Sequence, residues 1–431
     1  MNNNTIAQVV KDELCTGCGT CIALCPEEAI KLTINEKKGI YVPELNEGRC
    51  NECGICFNVC PGHEVDFKGL NLEVFGKEPE DILIGNYLNC YVGHSTDYDV
   101  RYNSASGGLI TQLLIFALEE GIIDGALVTR MKKDKPLEPE PFIARTKEGI
   151  IEASKSKYCP VPANIALKEI LNSKEGGKFA VVGLPCHIHG IRKAEQINKK
   201  LKQKIVLHLG LWCSTTCNFL GTEFVLKRLG VSKEAVKELN YRGEGWPGGM
   251  SVQLKNGEKR FIPLGDYWDT NFSSFRPSRC RLCSDAIAEF ADICFGDYRG
   301  QSAYLNEKIG NSDIISRTIT SENILQRMLS KQKIEIWRVS SSDVATSQGY
   351  FHSKKNVKAC FHLFRLLGKK IPIYNQELLK PPLITYLWEL DLHLRTLLAS
   401  RRCLWGLLKV YTFIYTLILE FGSYVKSKLK R

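Results

Sequence analysis

The 431-residue sequence predicts an α+β chain: a small cysteine-built module at the N-terminus, an α/β body, and a helical C-terminal tail. Three observations carry that prediction. Eight of the 18 cysteines fall within the first sixty residues, in two near-identical runs. The middle of the chain alternates short apolar runs with segments of helical periodicity. The last fifty residues combine apolar stretches with an excess of basic side chains. By these boundaries residues 1–68 form the module, 80–170 and 171–340 the two parts of the body, and 380–431 the tail.

Composition narrows the class. Apolar residues make up 44% and charged residues 24%, which excludes disordered and collagen-like chains. Eighteen cysteines in a chain too long to be a small secreted disulfide scaffold point to a reduced compartment with metal-bound or reactive thiols. The start, Met1-Asn2-Asn3-Asn4, lacks the basic and apolar regions of a secretory signal, so a cytoplasmic location is expected. The net charge of +11 is unevenly spread: residues 1–66 carry 5 basic and 10 acidic side chains, and residues 381–431 carry 8 basic and 3 acidic. The lysines of the body are scattered without aromatic platforms, so no nucleic-acid partner is expected.

The first run is Cys15-x2-Cys18-x2-Cys21-x3-Cys25-Pro26, and the second is Cys50-x2-Cys53-x2-Cys56-x3-Cys60-Pro61. Three thiolates two residues apart wrap one iron–sulfur cube on a tight loop, and the fourth, carried off by its proline, ligates the other cube. This assigns one 4Fe–4S cluster to Cys15, Cys18, Cys21 and Cys60, and a second to Cys50, Cys53, Cys56 and Cys25. Zinc sites use paired Cys-x2-Cys elements instead. Gly17, Gly19 and Gly54 let the backbone approach the sulfides. Between the runs, Ile30–Ile34 and Ile40–Val42 around Lys38-Gly39 read as a hairpin. Residues 5–66 resemble the bacterial dicluster ferredoxins.

A linker is expected around Gly69–Pro79. Beyond it, Ser104-Ala105-Ser106-Gly107-Gly108 precedes an apolar helix beginning at Leu109; small residues before a helix start can cradle an anion, or simply cap the helix. Gly125–Arg130 reads as a strand, and Ser154–Tyr158 as a basic, hydroxyl-rich loop. Two strands, Lys178–Gly183 and Lys204–Gly210, each followed by a helix, argue for a parallel α/β layer. Cys186 and Cys213 follow the carboxyl ends of those strands, where such sheets bind ligands. After a hairpin around Asn256-Gly257 come Cys280-Arg281-Leu282-Cys283 and a strand closing on Gly296-Asp297. Cys186, Cys213, Cys280 and Cys283 form a candidate four-thiolate site, for which Cys217 and Cys294 compete.

Taken together, these motifs resemble the β-subunit family of coenzyme F420-reducing hydrogenases and dehydrogenases. The resemblance spans roughly residues 5–300. It rests on the two cysteine runs, Ser104-x-Ser106-Gly107-Gly108, Ser156-Lys157-Tyr158, Gly183-Leu184-Pro185-Cys186, Gly210-Leu211-Trp212-Cys213, Cys280-x2-Cys283-x-Asp285 and Ala291-Asp292-Ile293-x2-Gly296-Asp297. It implies a flavin-binding body with FAD beside a third 4Fe–4S cluster. Ser104, Ser106, Gly107 and Gly108 would face the FAD phosphates, with Lys157 close to the flavin or the phosphates, and Cys186, Cys213, Cys280 and Cys283 would hold the cluster. Lys157, Arg276 and Arg279 would supply positive charge, or merely lie on the surface. His187 and Asp297 are acid–base candidates by position only, so the catalytic residues stay unassigned.

The resulting expectation is an iron–sulfur flavoprotein oxidoreductase. It would move electrons between a ferredoxin-type or other redox partner protein and, through FAD, a two-electron organic acceptor such as a coenzyme F420-like molecule. The alternative is a non-catalytic electron-transfer subunit wiring a partner enzyme to a ferredoxin pool. In the tail, Leu383–Leu398 is amphipathic, and Val410–Leu419 is uncharged but too short to span a bilayer. Peripheral contact with the inner face of a membrane and packing against the body or a partner are both compatible with it.

Overall fold

The computed structural model describes residues 4–268, 271–300, 309–349 and 354–414. The N-terminal module folds as its repeat requires. Each run turns through a left-handed glycine, Gly19 or Gly54, that starts a single-turn helix, Thr20–Ala23 or Ile55–Asn58. Strands β1 (Ile30–Asn35) and β2 (Ile40–Leu45) make the expected antiparallel hairpin, with Thr33 opposite Val42. A short strand, β3 (Glu64–Val65), follows the second run.

The linker expected around Gly69–Pro79 is instead largely a helix, Phe67–Phe75. The Asp66 carboxylate accepts from the Gly69 N–H at 2.9 Å to cap its start, and Gly76 ends it in the left-handed conformation. Phe67 and Leu70 are buried on the body, so this segment joins the two units by packing.

The body is built on one eight-stranded sheet. In chain order its strands are β4 (Asn89–Ser95), β5 (Gly125–Met131), β6 (Pro139–Ala144), β7 (Phe179–Gly183) and β8 (Ile205–Leu211). The chain then makes a small antiparallel sheet of β9 (Val236–Asn240), β10 (Gly249–Leu254) and β11 (Lys259–Pro263). It returns to the large sheet with β12 (Ile293–Asp297), β13 (Ser312–Ser316) and β14 (Ile334–Val339). The spatial order is β14-β4-β13-β12-β8-β7-β5-β6. The four central strands, β12, β8, β7 and β5, are parallel, as strand–helix alternation demands. The flanks are antiparallel, a feature the parallel α/β reading did not anticipate. Strands before and after residue 170 thus share one sheet, with an apolar core on each face.

Registration of the central strands sets the site. Gly183 pairs with Gly210, so the carboxyl ends of β7 and β8 lie side by side, while Gly210 pairs with Cys294, the second residue of β12, which runs on beyond them. Cys186 and Cys213 leave the sheet just beyond them. The cysteine module is seated against this edge. Gly19 has a φ of +88°, and a Cβ there would meet the Ile165 Cγ2 at 2.6 Å. Asn164 closes the joint: its N–H donates to the Cys18 carbonyl at 2.9 Å, and its side chain donates to the Thr20 Oγ1 at 2.8 Å and the His187 carbonyl at 2.9 Å. Near the C-terminus, β15 (Ile373–Tyr374) adds in parallel to β3, binding residues far apart in sequence into the same joint.

Candidate redox sites

All 18 cysteines are free thiols, and twelve of them gather around three cavities. Cys15, Cys18, Cys21 and Cys60 line one of about 310 Å3. Cys25, Cys50, Cys53 and Cys56 line another of about 320 Å3. Each run therefore lends its fourth cysteine to the other's cavity, the exchange its proline predicts. Backbone N–H groups already face the sulfurs: Gly17 donates to Cys15 at 3.3 Å, Ala29 to Cys25 at 3.3 Å, Glu52 to Cys50 at 3.4 Å and Gly62 to Cys60 at 3.3 Å. Donors of this kind are what an iron–sulfur cluster needs around it.

The third cavity, of about 830 Å3, is lined by Cys186, Cys213, Cys280 and Cys283. The two competitors lie elsewhere. The Cys217 Sγ faces the Phe272 carbonyl at 3.4 Å in an aromatic core, and the Cys294 Sγ accepts from the Trp212 indole at 3.4 Å inside the main core. Among the described residues no three His, Cys, Asp or Glu side chains converge on a point as a single metal ion would require; these thiols surround open space instead. Burial pushes the Cys213 thiol up to about 12, with Cys280 and Cys283 adding to the effect. Such a cluster of half-buried thiols fits bound iron, which supplies the charge that deprotonates a coordinating thiol.

Cys15, Thr16, Gly17 and Pro61 line this same cavity, so the first module site adjoins it. Cys18, Cys21 and Cys60 are buried, whereas Cys53 of the second site is exposed. The three sites run inward from the surface of the module to the edge of the sheet.

Basic residues hold the Cys-x2-Cys loop from both sides. Arg279 donates to the carbonyls of Gly62 at 2.8 Å and Pro61 at 3.1 Å, and to the Tyr374 hydroxyl at 2.7 Å. Arg281 donates to the Glu389 carboxylate at 2.8 Å and lies 2.8 Å from the His393 Nδ1. Arg279 is therefore an internal strut and not surface charge. Lys354 also faces the cavity; burial opposes its charge, but Cys283, Cys213 and Cys280 outweigh that and raise its pKa. His187 is locked in place, its Nδ1 accepting from the Leu184 N–H at 3.2 Å and its Nε2 donating to the Val161 carbonyl at 2.9 Å, and burial lowers its pKa to about 4.

The other candidate residues meet at the far side of β12. Gly108 starts the helix Leu109–Glu119 in the left-handed conformation, and no side chain caps its first N–H groups. The Ser106 hydroxyl is 2.8 Å from the Ser312 Oγ, which also accepts from the Gly107 N–H at 3.0 Å. Ser104 turns inward, donating to the Val100 carbonyl at 2.6 Å. Lys157 places its ammonium on the carbonyls of Ala153, Ser154 and Lys155 behind the helix Lys147–Glu152, where burial lowers its pKa to about 7. Sequence reasoning missed the residue that joins these motifs. Arg242 is buried and donates to the Ala105 carbonyl, to the Tyr158 hydroxyl at 3.1 Å and to Asp297 at 3.3 Å. The one local signal was its place ahead of the glycine-rich stretch Gly243–Gly249. Asp297 also accepts from the Trp246 indole at 2.7 Å, so it is an anchor for this loop.

A two-cluster module seated against an α/β body that brings four more cysteines together, two beyond strand ends and two on a Cys-x2-Cys loop, defines an iron–sulfur electron-transfer subunit. Family models agree on each part: a 4Fe–4S dicluster domain matches residues 14–63, and the N-terminal and C-terminal models of the coenzyme F420 hydrogenase/dehydrogenase beta subunit match residues 90–168 and 176–342. The chain belongs to the coenzyme F420 hydrogenase/dehydrogenase beta-subunit family. The coenzyme F420 hydrogenase subunit beta of Methanosarcina barkeri is 28% identical over 277 residues, covering 59% of this chain and 91% of that protein. Its counterpart in Methanothermobacter thermautotrophicus is 28% identical over 251 residues, covering 57% and 83%. The coenzyme F420-dependent sulfite reductase of Methanocaldococcus jannaschii is 27% identical over 345 residues, covering 76% of this chain and 48% of the reductase. A chain of the F420-reducing NiFe hydrogenase complex from Methanosarcina barkeri shares the fold, with a TM-score of 0.55 at 24% identity over 69% of this chain and 98% of that one.

Proposed function

We propose that the chain is an FAD- and iron–sulfur-dependent oxidoreductase subunit that links a ferredoxin-type or other redox partner protein to a two-electron organic acceptor. The observation that carries this reading is the third cavity, where Cys186, Cys213, Cys280 and Cys283 stand beside Cys15 of the module. Twelve cysteines then hold three 4Fe–4S clusters in a row, with the exposed Cys53 side as the point of exchange with the partner. FAD, when bound, supplies the conversion between one-electron and two-electron transfer. Toward it, the uncapped N-terminus of the helix Leu109–Glu119 offers N–H groups to its phosphates. Arg242 and Ser312 fix the loop Ser104–Gly108, and Lys157 fixes the adjoining one. Coenzyme F420, which the relatives' names specify for them, is the first acceptor to test.

Anaerobically purified protein is expected to release one FAD per chain on denaturation and to contain about twelve iron atoms, the content of three 4Fe–4S clusters. About eight iron atoms and no flavin would mean that only the module is loaded, and the chain would then be a relay without catalysis of its own.

The charge beside the third site gives a second test. A buried ammonium favours the more negative, reduced state of a cluster. Lys354→Met is therefore expected to lower the midpoint potential of one of three clusters in a potentiometric titration followed by electron paramagnetic resonance. Three unshifted potentials would remove Lys354 from the third site.

A further inference from the structure

We propose that the two C-terminal helices dock this protein on the surface of an anionic lipid membrane. The first helix, Leu383–Ala399, presents only apolar and aromatic side chains at its exposed positions. Leu383, Leu387, Leu390, Leu394 and Leu397 form a stripe, with Trp388 beside it; they are 44% to 86% exposed. The polar groups of the helix face the protein instead. Glu389 and His393 are taken by Arg281, while Asp391 is held by Arg395 and the Tyr411 hydroxyl. A surface helix ordinarily has the opposite arrangement.

Residues 405–414 form a second helix, tied to the first by the Tyr411 hydroxyl on Asp391. Trp405 and Leu408 anchor it in the body, and Thr412 meets the Asn271 side chain at 2.5 Å. Leu407, Val410, Phe413 and Ile414 are exposed. An apolar face of this extent marks an interaction site.

Charge and chemistry select lipid as the occupant. The face offers almost no hydrogen-bonding groups besides Trp388 and Tyr386, which suit the boundary between lipid and water, whereas a protein interface sets hydrogen bonds around its apolar centre. Lys409 is exposed at its margin. The sequence stays uncharged from Val410 to Leu419, and after Glu420 it carries only basic charges, at Lys426, Lys428, Lys430 and Arg431. An apolar surface with a lysine at its margin, followed in sequence by a run of basic residues, fits a helix lying in the membrane plane. Among the described residues no helix is long and apolar enough to cross a membrane. The element lies beyond the family-matched residues, which end at 342. Through Arg281 it is fastened to the loop between Cys280 and Cys283, so docking would hold that loop about one helix diameter, ~10 Å, from the lipid surface.

The test is flotation of the full-length holoprotein with vesicles of phosphatidylcholine alone or of phosphatidylcholine with phosphatidylglycerol. Wild type is expected to float with the anionic vesicles and to stay down with the neutral ones. Leu387→Glu/Leu394→Glu is expected to reduce the bound fraction about tenfold or more, because two leucines would no longer enter the lipid, with unchanged iron content and thermal midpoint. The proposal fails if wild type ignores anionic vesicles, or if the double variant floats as well as wild type. It also fails if light scattering finds a dimer that the double variant abolishes while neither protein floats, an outcome that assigns the face to a second copy. None of these results depends on flavin or acceptor.

Discussion

Replacing Cys280 and Cys283 together by alanine should leave a folded protein with about eight iron atoms in place of about twelve. The module's two spectroscopic signals should persist and a third should vanish. Transfer of electrons from a reduced ferredoxin-type partner to the organic acceptor should fall to background. The reason lies in the order of the cavities. Cys15 and Thr16 border the third cavity, so the module and the strand ends meet there. The joint that seats the module, Asn164 on Cys18 and Thr20, does not involve the two substituted residues. Arg279 and Arg281 hold the loop through their own contacts with Pro61, Gly62 and Glu389, so loss of the thiols need not release it. Unchanged iron content, or linked turnover at the wild-type rate, would show that these cysteines are not cluster ligands.

The parts of this design that were legible in the sequence are local. Each cysteine run carries three thiols and the departing fourth within eleven residues, so spacing alone predicted the exchange seen between the first two cavities. That Cys186, Cys213, Cys280 and Cys283 would line one cavity was legible because two of them follow buried strands and two form a Cys-x2-Cys pair. What separated them from Cys217 and Cys294 was packing: one sits under Phe272 and the other under Trp212, neighbours that no pattern places. Arg242 was missed for a similar reason. It joins Ala105, Tyr158 and Asp297, three partners distant in sequence, and one arginine before a glycine-rich stretch carries no periodicity. The helix Phe67–Phe75 was read as a linker because its glycine and its lack of repeat length obscured a helix whose stability comes from Phe67 and Leu70 packing on the body. The antiparallel flanks of the sheet depend on strands β13 and β14 returning beside β4, a choice made by tertiary packing.

The largest stability effect is expected at a charged network under the helix that carries Cys186. On β8, the His208 Nε2 is 2.7 Å from the Glu195 carboxylate, and its Nδ1 is 3.1 Å from Asp292. Arg192 reaches both acids, Glu195 at 3.1 Å and Asp292 at 3.3 Å. Two acids and two bases thus close a nearly buried ring between sheet and helix. Burial and the Arg192 charge oppose a protonated His208, but Glu195 and Asp292 outweigh them and raise its pKa above the ordinary value. Its contribution to stability is therefore complete below the unfolded pKa of about 6.5 and is lost as pH rises through the higher folded value. Asp292, lowered to about 2 against desolvation mainly by its bond from His208, contributes above about 4 and is lost only as pH falls toward 2. The network's contribution to stability should accordingly be highest in mildly acid solution and decline on the alkaline side. Glu195→Gln removes one partner and leaves a buried positive charge uncompensated, a change that costs about 3–5 kcal/mol. It should also flatten the alkaline decline, since His208 then loses the acid that helps hold its proton. Denaturant midpoints of wild type and variant on both sides of neutrality measure the two effects, and an alkaline decline of equal size in both proteins would show that Glu195 does not help to hold the His208 proton.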